Sequence, residues 1–279
     1  MSTTRVLAPQ EFEAFRKFLQ EACGILLGDN KQYLVTSRLG KIMAQQNLAS
    51  LTDLMREMQR SPRSGLKEAV VDAMTTNETL WFRDVHPFNI LQTRVLPELA
   101  AKNSREPLRI WSAAASTGQE AYSISMVLEE FKKTSPTAFR MGEKIVGTDI
   151  STSALATAKS GIYEMLAIGR GLSKERLTQH FTQTGEGKWK INPGIQKRAE
   201  FRQMNLLHSY NMLGKFDVVF CRNVLIYFSA ELKKDILKRI HATLKPGGYL
   251  FLGASEALSN MPDLYEMVQC RPGIIYRAK

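Results

Sequence analysis

The chain has 279 residues, 44% hydrophobic and 23% charged, which excludes disordered, collagen-like and coiled-coil classes and allows a sizeable core without disulfide staples. Length alone suggests about two domains. Lysine and arginine total 38 against 27 acidic residues, a net charge of +11 that favours an acidic partner: nucleic acid, a membrane surface or an acidic protein.

The first 75 or so residues read as helices. Phe12, Phe15, Phe18, Leu19 and Ala22 recur at helical spacing, and Gly24 stands where a C-terminal cap belongs. A second helix is predicted to start after Asp29, a good N-cap residue. Ser50 followed by Asp53 resembles a capping box with Asp in place of Glu, opening a third helix around Leu54, Met55 and Met58. Residues 65–75 form a fourth pattern. No strand signal interrupts this stretch, so residues 1–76 are predicted to be a small helical domain, followed by a linker helix over 77–105.

From Glu106 the texture changes. Short apolar runs at 108–111, 144–149, 200–204, 216–221 and 249–253 alternate with helical patterns at 119–133, 151–160 and 230–244. Alternating β and α elements imply an α/β, doubly wound sheet with helices on both faces. The run at 274–277 follows Pro272-Gly273 and is predicted to close the sheet by an antiparallel hairpin. Residues 164–202 fit the alternation poorly. They are rich in glycine, carry WKI at 189–191, and hold eight basic and four acidic residues. They read as an insertion bearing a small β hairpin.

Cys23, Cys221 and Cys270 are far apart with no CxxC pair, and the four histidines are scattered, so neither a disulfide framework nor a metal site is expected. The start, MSTTRVLAPQEFEAF, lacks the apolar core of a signal peptide, and no apolar run approaches the roughly 18 residues of a membrane span. A cytoplasmic location without membrane insertion is expected.

In a doubly wound sheet, ligands bind at the carboxyl ends of the strands. After the first strand comes SAAASTGQE (112–120), whose small residues let a ligand approach the backbone. It suits a nucleoside, or is a tight turn that packs helix on strand. Asp149, after the second strand, can accept both hydroxyls of a ribose, or cap the helix that begins near Ser151. After the third strand, Asn205-Leu206 offers an amide for an adenine edge, or a turn asparagine. After the fourth, CRNVLIYF (221–228) places Arg222, Asn223 and Tyr227 where a substrate would lie.

These turns fit an S-adenosylmethionine methyltransferase better than a dehydrogenase. The runs TTNETLWFRD (75–84), WSAAASTGQEAYSI (111–124), GTDIS (147–151), SGIY (160–163), CRNVLIYF (221–228) and LKPGGYLFLGASE (244–256) together resemble the chemotaxis receptor glutamate methyltransferase family, CheR. Gln119 and Ala121 depart from the family, which often has Glu and Pro there. The resemblance implies a Rossmann-like class I methyltransferase sheet over 106–279, a small N-terminal all-helical domain and a small β insertion. It implies S-adenosylmethionine as methyl donor, S-adenosylhomocysteine as product and no metal. Asn77, Thr79 and Arg83 would lie on a segment covering the cofactor, with Glu120 and Asp149 as cofactor-binding carboxylates. Asn205 and Leu206 would contact adenine, and Cys221, Arg222 and Asn223 the methionine portion. Arg83 and Tyr227 would be the catalytic, substrate-side residues.

The implied substrate is the glutamate-rich cytoplasmic helical domain of chemoreceptors, to which the enzyme would be recruited in membrane receptor arrays. Lys31, Arg38 and Lys41 fall within an arc of about 80° on the second helix at ~100° per residue; the resemblance implies that the N-terminal domain helps recognise receptor helices, which favours docking by this face over a merely solvated basic one. The connection TGEGKW (184–189) is short for capturing a receptor's C-terminal tethering peptide, so independence of such a peptide is expected. A nucleic-acid methyltransferase suits the basic charge, but neither an Asp/Asn-Pro-Pro-Tyr run nor a Pro-Cys nucleophile is present. A non-catalytic cofactor-binding scaffold is the other rival.

Overall fold

The computed structural model describes residues 7–102, 104–258 and 261–279, so the first six residues of the predicted helical domain lie outside it. The chain divides into two units, one running to Thr76 and including Tyr227–Lys233, the other comprising Asn77–Ile226 and Lys234–Lys279.

The first unit contains α1 (Pro9–Cys23), α2 (Gln32–Gln45), α3 (Leu51–Arg60) and α4 (Leu66–Met74). Phe12, Phe15 and Leu19 of α1, Val35 and Leu39 of α2 and Leu54 of α3 are buried, as their helical spacing dictates. Gly24 ends α1 in the left-handed region, φ 78°, and its N–H donates to Gln20 O at 2.8 Å. Ser50 caps α3: its Oγ accepts from Asp53 N at 3.0 Å and donates to Asp53 Oδ2 at 2.6 Å. The predicted cap at Asp29 is corrected. Lys31 N donates to Gly28 O at 3.0 Å, so residues 28–31 form a turn and Lys31 takes the N-cap position of α2. The Asp29 carboxylate instead accepts from Arg16 NH1 at 2.6 Å.

The second unit opens with the short helices α5 (His86–Ile90) and α6 (Leu96–Ala101) and holds β1 (Leu108–Ala113), β2 (Glu143–Asp149), β3 (Ile162–Glu164), β4 (Phe181–Gly185), β5 (Lys188–Ile191), β6 (Ala199–Gln203), β7 (Phe216–Cys221), β8 (Leu244–Leu252), β9 (Tyr265–Cys270) and β10 (Gly273–Ala278). Among the described residues, seven strands form one sheet in the order β6-β2-β1-β7-β8-β10-β9. The first five are mutually parallel, and β10 is antiparallel to both its neighbours. Each central strand is a nearly continuous buried run, the signature of a parallel sheet covered on both faces. The chain moves from β1 outward through β2 to β6, then returns to β7 on the other side of β1. That reversal puts the switch point of the Rossmann-like sheet at the carboxyl ends of β1 and its neighbours.

Two details depart from expectation. The closing hairpin needs β9, which the sequence pattern did not reveal because its burial alternates irregularly. The strand expected over 249–253 begins earlier: β8 starts at Leu244, and its register against β7 slips around Pro246-Gly247-Gly248. The insertion contains β4 and β5, joined by β3 into a small sheet ordered β3-β5-β4.

Candidate active site

The end of β1 is backbone held in an unusual shape. Ala114 (φ 59°), Ser116 (φ 50°) and Gly118 (φ 95°) all adopt positive φ before α7 (Gln119–Thr134) begins. A Cβ on Gly118 would lie 2.9 Å from Ala158 Cβ, so only glycine lets α7 approach α8 (Thr152–Ser160) there. Asp149 ties this loop to β2. Its Oδ2 accepts from Ser116 N at 2.7 Å and its Oδ1 from Ser151 N at 2.9 Å, and it is buried. Ser151, not Asp149, caps α8, with its Oγ accepting from Ala154 N at 3.0 Å. Asn77 joins the same corner: its Nδ2 donates to Ser151 Oγ at 3.2 Å and its carbonyl accepts from Ser116 Oγ at 3.0 Å.

A buried ion-pair network stands between β1 and β7. Arg222 NH1 donates to Glu120 Oε2 at 3.0 Å, and NH2 donates to Asp84 Oδ2 at 2.7 Å and to Arg83 O at 2.9 Å. The Arg222 side chain is 1% exposed and Glu120 13%, so this pair is desolvated and breaking it leaves a charge stranded. Glu120 Oε1 also accepts from Ser112 Oγ at 2.8 Å. Burial pushes the Glu120 carboxyl above its ordinary range, while Arg222 and the Ser112 hydroxyl pull it back. Arg222 Nε is buried without a hydrogen-bond partner.

The segment bonded by Arg222 is strained as well: Phe82, Asp84 and Val85 all have positive φ. Phe82 N donates to Ser123 Oγ at 3.1 Å, anchoring the segment on α7. The Arg83 side chain is half-buried, and its NH1 donates to Glu78 O at 3.1 Å. Glu78 in turn pairs with Arg170 of the insertion. Thr79 is half-buried in this segment.

Beyond β6, Asn205 Oδ1 accepts from Leu207 N at 3.0 Å, so its side-chain oxygen closes a turn. Leu206 is buried. At the end of β7, Cys221 is buried and its thiol is pushed well above the ordinary range by that burial, so it is a neutral thiol rather than a nucleophile. Asn223 follows at φ 58°.

The second unit thus forms two hydrogen-bonded groups near the strand ends: Asn77 and Asp149 joined through Ser116 and Ser151, and Arg222 joined to Glu120, Asp84 and the Arg83 backbone. Tyr227 groups with the first unit, where its carbonyl accepts from Leu26 N at 2.9 Å. Lys31 and Lys41 of that unit make no side-chain ion pair among the described residues, and Lys31 Nζ lies 5.8 Å from the Tyr33 ring centre. Arg38 differs: its guanidinium donates to Met74 O (2.8 Å), Thr75 O (3.0 Å) and Thr76 Oγ1 (3.1 Å), tying α2 to the end of α4. Sequence reasoning gave no role to Asp84, Ser112 or Glu256. Each sits in a quoted motif; Asp84 and Glu256 bond residues of another motif far along the chain, while Ser112 meets Glu120 across the turn between β1 and the helix that follows.

A family model described as the CheR methyltransferase, SAM binding domain, matches residues 77–274, and one described as the CheR methyltransferase, all-alpha domain, matches residues 10–75. The chain belongs to the CheR methyltransferase family. It is 63% identical over 272 residues to chemotaxis protein methyltransferase 1 of Pseudomonas aeruginosa, covering 98% of this chain and 99% of that one. It is 50% identical to the chemotaxis protein methyltransferase of Vibrio anguillarum (99% and 100% covered) and 34% identical to that of Escherichia coli (94% and 89%).

Membership of the CheR family makes the chain an S-adenosylmethionine-dependent methyltransferase, and the strand ends fit that cofactor chemically. Carboxylates suit both ends of a ligand that carries a ribose diol and a cationic amino group. Asp149, oriented by two backbone amides, and Glu120, held by Arg222 and Ser112, are carboxylates at these strand ends. The partnerless Arg222 Nε–H is a buried donor at the same rim. Among the described residues, no cluster of histidine, cysteine and carboxylate suited to a metal is found, and no helix is long and apolar enough to cross a membrane.

Proposed function

We propose that this CheR-family enzyme transfers a methyl group from S-adenosylmethionine to glutamate side chains in the cytoplasmic helical domain of chemotaxis receptors, giving glutamyl methyl esters. The observation that carries the reading is the buried Arg222 bridge. It joins Glu120, on the cofactor side, to the backbone of Arg83, in a chain that matches chemotaxis methyltransferases over nearly its whole length.

In this reading Asp149 takes the ribose hydroxyls and Glu120 the amino group. Asn205 and Leu206 border the adenine, and Cys221, Arg222 and Asn223 border the methionine portion. Asn77, Thr79 and Arg83 cover the cofactor. The cofactor supplies an electrophilic methyl on a sulfonium and leaves as S-adenosylhomocysteine. A glutamate with a pKa near 4.3 is already ionised at neutral pH, so no residue of the chain has to remove a proton and no metal is required. The new C–O bond forms as the C–S bond breaks, and its electron pair stays on sulfur. The chain's contribution is alignment, which can be worth on the order of 7–11 kcal/mol. Arg83 orients the incoming carboxylate and Tyr227 fixes the attacking oxygen through its hydroxyl.

The basic charge serves encounter with an acidic helical bundle. Lys31 and Lys41 are the docking cations, whereas Arg38 supports them by holding α2 to α4. Such steering weakens with salt. The enzyme works in the cytoplasm at receptor arrays, without a tethering peptide and without nucleic acid.

Labelled methyl transfer offered both receptor-containing membranes and RNA tests this. Alkali-labile label on the receptor is expected. Label on RNA, or cofactor binding with no transfer to either, would overturn the proposal in favour of a nucleic-acid methyltransferase or a scaffold.

A further inference from the structure

The turn that follows β7 is built around a side chain from elsewhere. Glu256 lies after β8, yet its carboxylate accepts four backbone N–H groups. Oε1 takes Val224 N at 2.9 Å and Leu225 N at 2.7 Å; Oε2 takes Asn223 N at 2.7 Å and Gly253 N at 2.8 Å. A carboxylate is an acceptor-only group with about four lone-pair directions, and here four N–H groups meet them. Its charge is balanced by backbone dipoles, as at a helix N-terminus. Residues 225–227 form a short helical turn, so Glu256 supplies from about thirty residues away the cap that a local Ser or Asp normally supplies.

The consequence is the shape of Asn223. Its φ of 58° is a conformation that a non-glycine residue holds only when its surroundings impose it. Glu256 grips the amide of Asn223 itself and those of the two residues after it. Arg222, immediately before, then leaves β7 in the direction that reaches Glu120 and Asp84. The glycine at 253 belongs to the same device. A Cβ there would lie 2.7 Å from Glu256 Oε2 and 2.8 Å from Asn223 N, so only a residue without a side chain leaves room for the carboxylate. Glu256 N also donates to Gly253 O at 2.9 Å, folding the carboxylate back over its own loop.

We propose that Glu256 is a positioning residue for the methyl donor: by gathering the amides of Asn223, Val224, Leu225 and Gly253 it sets the turn with which Cys221, Arg222 and Asn223 meet the methionine portion of the cofactor. The inference rests on the cofactor assignments made above. Glu256 touches neither cofactor nor substrate in this account and acts through the backbone it holds.

Glu256→Gln is the discriminating variant. It keeps the side chain's size, but one oxygen becomes an NH2 group that faces two N–H donors, so half of the cradle is repelled. Titration of S-adenosylhomocysteine into the purified full chain by calorimetry is expected to show affinity lowered about ten-fold or more. The KM for S-adenosylmethionine should rise with it, while the KM for receptor stays within about two-fold. Thermal unfolding of the same sample shows that the variant is folded. Gly253→Ala displaces the carboxylate without removing it and is expected to do the same, so the inference stays testable if Glu256→Gln does not fold. Folded variants that bind S-adenosylhomocysteine as tightly as the wild type would overturn the inference and leave Glu256 as a stabilising cap only. Failure of the wild-type chain to bind would instead overturn the cofactor assignments, so the two failures are distinguishable.

Discussion

The strand ends of the sheet and the basic face of α2 use charge in opposite ways. At the strand ends, Arg222, Glu120 and Asp149 are withdrawn from water and held by short bonds to one another, to the more exposed Asp84 or to backbone amides. At α2, Lys41 is exposed and the N-cap Lys31 half-buried, and neither makes a side-chain ion pair among the described residues. A desolvated network is costly to disturb and holds geometry to fractions of an ångström, which suits a reaction that depends on alignment. Exposed lysines cost little and hold nothing in place, which suits attraction at a distance. Arg38 marks the boundary between the two uses. It sits in the basic arc by sequence, but three hydrogen bonds make it part of the helical unit's framework.

Breaking the network at its centre should have the largest effect. Arg222→Met strands Glu120 as an unpaired buried carboxylate and frees the more exposed Asp84, and urea unfolding should show a loss of about 3–5 kcal/mol, most of it from Glu120. A loss near zero would mean that the pair is far more solvated than its burial indicates. Asp149→Ala comes next. Two buried amides lose their acceptor at about 1–3 kcal/mol each, and cofactor affinity should fall on the order of 100-fold. Tyr227→Phe should leave that affinity within about two-fold and lower turnover. Equal affinities for the Asp149 and Tyr227 variants by calorimetry would discredit the ribose assignment.

Acidification should sharpen the contrast further. The Glu120 carboxyl is raised by burial, so it takes up a proton at a higher pH than an exposed glutamate does. Protonation removes the charge that attracts the cofactor's ammonium. Cofactor affinity should therefore fall as pH is lowered from neutral, and begin to fall before an ordinary carboxylate would titrate. Glu120→Gln should bind weakly at every pH with that dependence removed. Parallel pH profiles for wild type and variant would show that Glu120 does not meet the ammonium. The smallest effect belongs to the exposed face. Lys31→Glu with Lys41→Glu should slow receptor methylation several-fold at low salt, converge with wild type at high salt, and leave cofactor affinity unchanged. Equal rates at all salt concentrations would leave that face as solvated surface.

Legibility in the sequence followed the same division. The sheet could be read because its buried strands are apolar runs separated by helical patterns, and Asp149 could be picked out because it stands at a strand end, whereas Glu120 was singled out only by the family resemblance. Elements whose form depends on distant partners could not. Asp29 looks like a cap, but Arg16 takes its carboxylate and the chain turns once more before α2 begins. Asp149 was also readable as a helix cap, and Ser151 holds that place instead. β9 gains its strand conformation from pairing with β10, since its own residues carry no clear alternation. Glu256 stands in a recognisable run, yet its acceptor role exists only once β7 and β8 lie side by side.

The most direct measurement is mass-spectrometric mapping of receptor incubated with the enzyme and S-adenosylmethionine, before and after mild base. Methyl groups that base removes are expected on glutamate side chains, and none when the Asp149→Ala enzyme is used at limiting cofactor. Methylation at nitrogen, sulfur or a hydroxyl, stable to base, would contradict it.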